Sequence, residues 1–342
     1  MDIQKLRELM LDVECMTVLR HVMDNPAMAA LHRLVCDCAN EGTSEGELTY
    51  AYCEVYNAWM CTAAGGKGGF VREALTAALF ADSPVARLCA SVDGDRLPYS
   101  VISALSHDLE TLGQLTSIEP AMFLLLCQRA GLSGRVAARL PMWEPALGDV
   151  QLDPRVDMGM LTYNGAKRVA AFFRKHGSGL FAACPGCTWV GVSDAYPLGL
   201  RGIREPDPIR LEDMVLYERE RGALVENTRR LLAGHQAGNI LLYGDKGTGK
   251  SATVKALLSS MWLEGLRIVE VPLAHLTNLP TIFSILREQP GKFIVFVDDL
   301  AFGDSCPEYT ALKTVLEGGL EARPANVVVW VLLLHVLLLV SW

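Results

Sequence analysis

From residue 1 to about 180 the apolar positions recur at helical spacing, and segment after segment opens with capping chemistry. Ser44 and Glu47 stand three apart as in a reciprocal cap, Ser83 precedes Pro84 at a first-turn position, and Gly131 closes the apolar stretch 121–130. A serine hydroxyl satisfies a free amide at a helix start, and glycine tolerates the left-handed geometry that ends a helix. No strand-like alternation interrupts this stretch, which predicts an all-α domain over residues 1–182. Pro185, Pro197, Pro206 and Pro208, with several glycines, then predict an irregular connector over 183–209.

Beyond residue 210 short apolar runs at 240–243, 268–271, 293–297 and 327–330 alternate with helical segments. Continuous apolar strands separated by helices are what a parallel sheet covered on both faces requires, so 210–330 reads as an α/β domain. Residues 331–342, VLLLHVLLLVSW, are low in complexity. The apolar run 327–340 is broken by His335 and is shorter than the roughly 20 residues of a spanning helix, so no membrane segment is expected.

Composition narrows the function classes without choosing one. The 342 residues are 51% hydrophobic and 20% charged, enough apolar surface for real cores and no case for disorder. The 31 basic against 39 acidic side chains, a net charge of -8, argue against a constitutive binder of nucleic acid or anionic membrane. The amino terminus, MDIQKLRELMLDVECM, interleaves charges and carries no cleavable apolar signal, so a cytoplasmic protein is expected. Ten cysteines (15, 36, 38, 53, 61, 89, 127, 184, 187 and 306) mostly fall in apolar, helix-like stretches and read as reduced, buried thiols.

The phosphate-binding signal is far more specific. Residues 244–251 read GDKGTGKS, which fits G-x-x-x-x-G-K-[ST] with Gly244, Gly249, Lys250 and Ser251. An apolar strand candidate, NILLY, runs straight into the loop. Val254, Leu257, Leu258 and Met261 follow at i, i+3, i+4 and i+7, so a helix begins where the loop ends. Glycines let the backbone amides turn toward phosphate oxygens, and the helix amino terminus adds partial positive charge. The binding segment is therefore Gly244, Asp245, Lys246, Gly247, Thr248, Gly249, Lys250, Ser251 and Ala252. Lys250 is expected to bridge the β- and γ-phosphates and Ser251 to place its hydroxyl on Mg²⁺.

A second half-site lies in KFIVFVDD, residues 292–299, an apolar strand ending in two carboxylates. Parallel strands deliver their carboxyl ends to one sheet edge, where ligands of open α/β folds bind. Asp298 is the expected Mg²⁺ partner, and Asp299 the carboxylate that polarises an attacking water. Bland alternatives remain for both motifs: a glycine-rich turn, and solvated acids at a strand end.

At these residues a family resemblance becomes specific. PDPIRLEDMVLYERERGALVENTRRLLAG, NILLYGDKGTGKSATVKALL, FIVFVDDLAF and ALKTVLEGGLEARPANVVVW resemble the bacterial AAA+ ATPases grouped as domain of unknown function 815, over about residues 206–330. LEDMVLYERER and LKTVLEGGLEARP have no general phosphate-loop meaning, which is why they point to this family. The resemblance implies an α/β P-loop NTPase of AAA+ type behind an all-α amino-terminal domain, with ATP and Mg²⁺ as cofactors. In that arrangement the 327–330 strand lies between the phosphate-loop strand and the Asp298 strand. Lys250, Ser251, Asp298 and Asp299 keep the roles just given. Family members typically continue past the last strand with a polar stretch ending in an Asn that senses the γ-phosphate, then with arginines and a helical lid. Here Leu333 and Leu334 take the approximate place of the sensor. A truncated or frame-disrupted end is therefore expected rather than a buried ending or an anchor, with an incomplete sheet and weak or absent turnover.

The resemblance implies an ATPase that remodels or switches a macromolecular partner, a homo-oligomer in full-length form, and a protein partner held by the helical domain. The competing readings are a nucleotide-binding assembly module that does not hydrolyse and, less favoured, a small-molecule P-loop kinase. Lys167, Arg168, Arg174, Lys175 and His176 interleave with Phe172 and Phe173, a mix that could meet a nucleic acid, although helical spacing turns the phenylalanines toward a core. Cys184-Pro-Gly-Cys187 has the spacing of redox and zinc sites without further ligands nearby, and Cys36 and Cys38 read as ordinary packing.

Overall fold

The computed structural model describes residues 1–63, 69–92, 96–143, 152–245, 247–300 and 323–333. The chain divides into two compact units, Met1–Phe173 and Arg174–Trp342.

Unit 1 is helical, with α1 (Ile3–Glu14), α2 (Pro26–Ala39), α3 (Glu45–Ala63), α4 (Phe70–Phe80), α5 (Pro84–Ser91), α6 (Tyr99–Thr116), α7 (Pro120–Arg129) and α8 (Gly134–Ala137). The caps form as the sequence expects. The Ser44 amide donates to Glu47 Oε2 at 2.8 Å while the Glu47 amide donates to Ser44 Oγ at 3.3 Å, opening α3. Ser83 Oγ accepts from the Ala86 amide at the start of α5. After α7, Gly131 takes φ 123 and the Leu132 amide returns to the Cys127 carbonyl. The apolar stripes Leu6, Leu9 and Val13 of α1, Leu31, Leu34 and Val35 of α2 and Leu105, Leu109 and Leu112 of α6 are buried.

One carboxylate is buried in this core. Asp108 on α6 is fully buried and accepts from the Thr17 amide at 3.0 Å and the Leu19 amide at 2.8 Å, fixing the chain that leaves α1. Burial pushes its carboxyl up, and the donating amides pull the other way. Asp108→Ala leaves those amides without an acceptor and should destabilise unit 1 by about 3 kcal/mol. Chemical denaturation reads this directly, and a loss below about 1 kcal/mol would show that the amides find other partners.

α9 (Ala166–His176) spans the division between the units. Phe172 and Phe173 on it are buried, and Arg168 pairs with Asp157, so neither phenylalanine is available to stack on a base.

Unit 2 adds α10 (Gly179–Ala183), β1 (Gly186–Trp189), β2 (Leu200–Ile203), α11 (Glu218–Leu232), β3 (Ile240–Tyr243), α12 (Lys250–Met261), β4 (Leu266–Glu270), α13 (Leu279–Arg287), β5 (Lys292–Leu300) and β6 (Val327–Leu333). The sheet order is β2-β1-β4-β5-β6-β3, with every pairing parallel except β1 with β2. β6 lies between β3, which leads into the 244–251 loop, and the Asp298 strand β5, as the resemblance implied.

Alternation along the strands separates two cores. Val295 and Val297 of β5 with Val327, Val329 and Val331 of β6 face Leu279, Ile282 and Leu286 of α13. Ile294 and Phe296 with Val328, Trp330 and Leu332 face Leu224 and Leu231 of α11 and Val254, Leu257 and Leu258 of α12. A sheet buried on both faces needs apolar residues at every position, which is why these strands read as continuous runs.

Four expectations need correction. The stretch 183–209 is not an irregular connector: it carries β1 and β2, which extend the sheet past β4. Its prolines punctuate, since Pro185 precedes β1, Pro197 lies between the strands and Pro206 and Pro208 follow β2. The sheet is consequently mixed rather than purely parallel, and β6 runs on through Leu333 into the low-complexity stretch 331–342. Finally, Cys15, Cys53 and Cys61 are exposed rather than buried, since they fall on outward positions of apolar-looking stretches. Cys306 and Leu334 lie outside the described residues.

Candidate functional site

β3 ends at Tyr243 and α12 begins at Lys250, so the loop between them joins a strand's carboxyl end to a helix start. Gly249 caps α12 at φ 84, and Gly244 takes φ 138. An L side chain rarely adopts either conformation, so glycine is required at both ends of this tight connection. The free amides of the first turn of α12, which includes Lys250, Ser251 and Ala252, add partial positive charge at the same place.

Lys250 is held over the loop by the loop itself. Its Nζ donates to the Gly244 carbonyl at 2.7 Å and to the Asp245 carbonyl at 2.8 Å, and stands 3.4 Å from Thr248 Oγ1. Thr248 in turn donates to the Asp245 carbonyl at 2.9 Å. These contacts position an ammonium beside the helix amino terminus. Lys246 lies outside the described residues.

β5 brings the second half of the site. Ser251 Oγ donates to Asp298 Oδ1 at 3.3 Å, joining residues 47 apart in the chain. The hydroxyl and the carboxylate are both hard oxygen donors, the type that suits Mg²⁺. Asp299 is the next residue of β5, and its side chain lies outside the described residues. Between the pairs Val297 with Val331 and Leu300 with Leu333 the register slips, three steps along β5 matching two along β6. The two acids therefore sit in a bulge, a feature that re-aims side chains beside functional sites. No composition or spacing signal announces it.

A strap that no periodicity in the sequence marks lies beside the loop. The Met214 methyl would lie 3.4 Å from a Cβ added at Gly249. Asp207 ties the same segment to α12, accepting from Lys255 Nζ at 3.4 Å, while its carbonyl accepts from Ser259 Oγ at 3.1 Å. Val215, Leu216 and Tyr217 follow with 83%, 68% and 53% exposure. Leu216 and Tyr217 have φ 70 and 56, unusual for bulky residues, and Arg221 donates to the Leu216 carbonyl. The only sequence signal for this strap was the string LEDMVLYERER, whose meaning lay in the resemblance rather than in periodicity.

The remaining candidates are not drawn into this arrangement. Cys184 and Cys187 are buried in the sheet core that faces α13, and burial pushes the Cys187 thiol up to about 12. Among the described residues no group of three or more His, Cys, Asp or Glu side chains is gathered to hold a metal ion, and no helix is long and apolar enough to cross a membrane.

No curated protein and no solved structure matches the chain. A family model does match, and it begins at the first residue of β1, some twenty residues before the stretch that carried the resemblance, so the β1–β2 pair belongs with the rest of the sheet. Residues 186–332, nearly the whole sheet with its loop and strap, are thus similar to the family described as Protein of unknown function (DUF815).

Proposed function

We propose that this protein binds Mg-ATP at the carboxyl edge of its sheet and, as an AAA+ type P-loop ATPase, hydrolyses it to remodel or switch a macromolecular partner. The observation that carries the reading is the Ser251–Asp298 hydrogen bond, which puts a hydroxyl and a carboxylate together beside the loop that holds Lys250. Lys250 would neutralise charge on the β- and γ-phosphates, and amides of the Gly244 to Ala252 segment would donate to their oxygens. Ser251 and Asp298 would hold the Mg²⁺, directly and through water; the ion supplies Lewis-acid charge at the phosphoryl oxygens. Asp299 would polarise the attacking water, and the exposed strap residues Val215 to Tyr217 would flank the base. A neighbouring copy would complete the site in an oligomer, and the helical unit would dock the protein partner.

Leu333 favours a second reading, a nucleotide-binding module that switches without turnover. It is buried at the carboxyl end of β6, beside β5, and its side chain cannot hydrogen-bond a phosphate or a water. Titration calorimetry with ATP in the presence and absence of Mg²⁺, followed by a phosphate-release assay, tests both. Mg²⁺-enhanced binding that Asp298→Ala abolishes is expected; equal binding with and without the ion would remove Ser251 and Asp298 from a metal role. Turnover separates the ATPase from the silent module, and a phosphorylated small-molecule product would indicate a kinase.

A further inference from the structure

Cys38 in the last turn of α2 and Cys127 in the last turn of α7 lie 89 residues apart in the chain, yet their sulfur atoms stand 3.5 Å apart. Both are free thiols and both are buried, at 3% and 0% exposure. A disulfide needs the sulfurs about 1.5 Å closer, a distance that side-chain rotation and a small helix adjustment can supply. The two helices carry the thiols on their facing sides, since each sulfur is the other's hydrogen-bond neighbour.

We propose that Cys38 and Cys127 form a redox-responsive staple, in which a two-electron thiol oxidant joins the two sulfurs and ties α2 to α7. The pair loses two protons and two electrons as the S–S bond forms. With a diazenedicarboxamide as oxidant, one thiolate adds to the N=N bond and the other displaces it, so both protons and both electrons end on the hydrazine. The hydrogen bond with Cys127 and burial hold the Cys38 thiol well above its ordinary range, so Cys38 stays protonated while packed. Oxidation therefore follows transient separation of the helices and is slower than at the exposed Cys15, Cys53 and Cys61. Because the link spans a long stretch of chain, it restricts the unfolded state and stabilises unit 1.

The test uses the full chain carrying Cys15→Ser, Cys53→Ser and Cys61→Ser, which removes the thiols exposed among the described residues. The protein is treated with the diazenedicarboxamide under native conditions, alkylated, digested and mapped by mass spectrometry, with scanning calorimetry alongside. A Cys38–Cys127 peptide is expected, together with an unfolding midpoint raised by about 5 °C or more, reversed by a dithiol and absent in Cys127→Ser. Recovery of both cysteines as free thiols, pairing of either with another cysteine, a link that forms only in denaturant, or a link that leaves the midpoint unchanged would each overturn the proposal.

Discussion

Lys250→Ala should weaken Mg-ATP binding by about tenfold to a hundredfold, the loss expected for one charge-assisted contact worth roughly 1.5 to 3 kcal/mol. The size follows from preorganisation. The Gly244 and Asp245 carbonyls hold the ammonium at 2.7 and 2.8 Å, so little side-chain freedom is left to lose when a phosphate arrives. Alanine removes the charge and leaves phosphate oxygens facing an empty position. Lys250→Arg should not restore binding, because a planar guanidinium cannot occupy the place of a compact ammonium between two carbonyls. Titration calorimetry on parent and variants decides the matter. Equal affinities would mean that nucleotide, if bound, is held elsewhere.

Gly165→Ala is expected to have the largest effect on stability, about 3 kcal/mol or more, for a purely steric reason. A Cβ at Gly165 would lie 2.1 Å from the Met160 carbonyl oxygen and 2.9 Å from its Cα, so the backbone rather than a flexible side chain blocks it. Gly113 on α6 is closed in the same way, 2.2 Å from the Leu161 carbonyl oxygen, and Gly113→Ala should act similarly. Gly165 lets the turn around 158–165 close on itself, and Gly113 lets that turn pack directly on α6. The midpoint of unit 1 in chemical denaturation should fall in both variants, whereas Gly134→Ala, which meets nothing within 4 Å, should leave it nearly unchanged. A Gly165→Ala protein as stable as its parent would show that this packing relaxes freely.

The two effects rest on different kinds of information. The loop lysine was legible because its neighbours must be glycines and a hydroxyl for local reasons, confined to a few consecutive residues. The need for glycine at Gly113 was not legible, because the atoms that exclude a Cβ there belong to Leu161, 48 residues away.

The same division runs through the whole chain. Helix starts at Ser44 and Ser83, the apolar strands β3 to β6 and the loop 244–251 were set by short-range sequence, since caps, strand burial and left-handed glycines act over a few residues. The place of β6 between β3 and β5 came with the family resemblance. Tertiary structure alone decided that the proline-rich stretch would yield β1 and β2, because four-residue strands gain their stability from pairing with β4 rather than from their own propensity. It alone set the bulge at Asp298 and Asp299, which depends on register with β6, and the strap at Met214, which depends on packing against Gly249. It alone brought Cys38 to Cys127. Sequence periodicity reports which face of an element is apolar; which elements meet, and which side chains then touch, is decided by long-range burial that no local pattern contains.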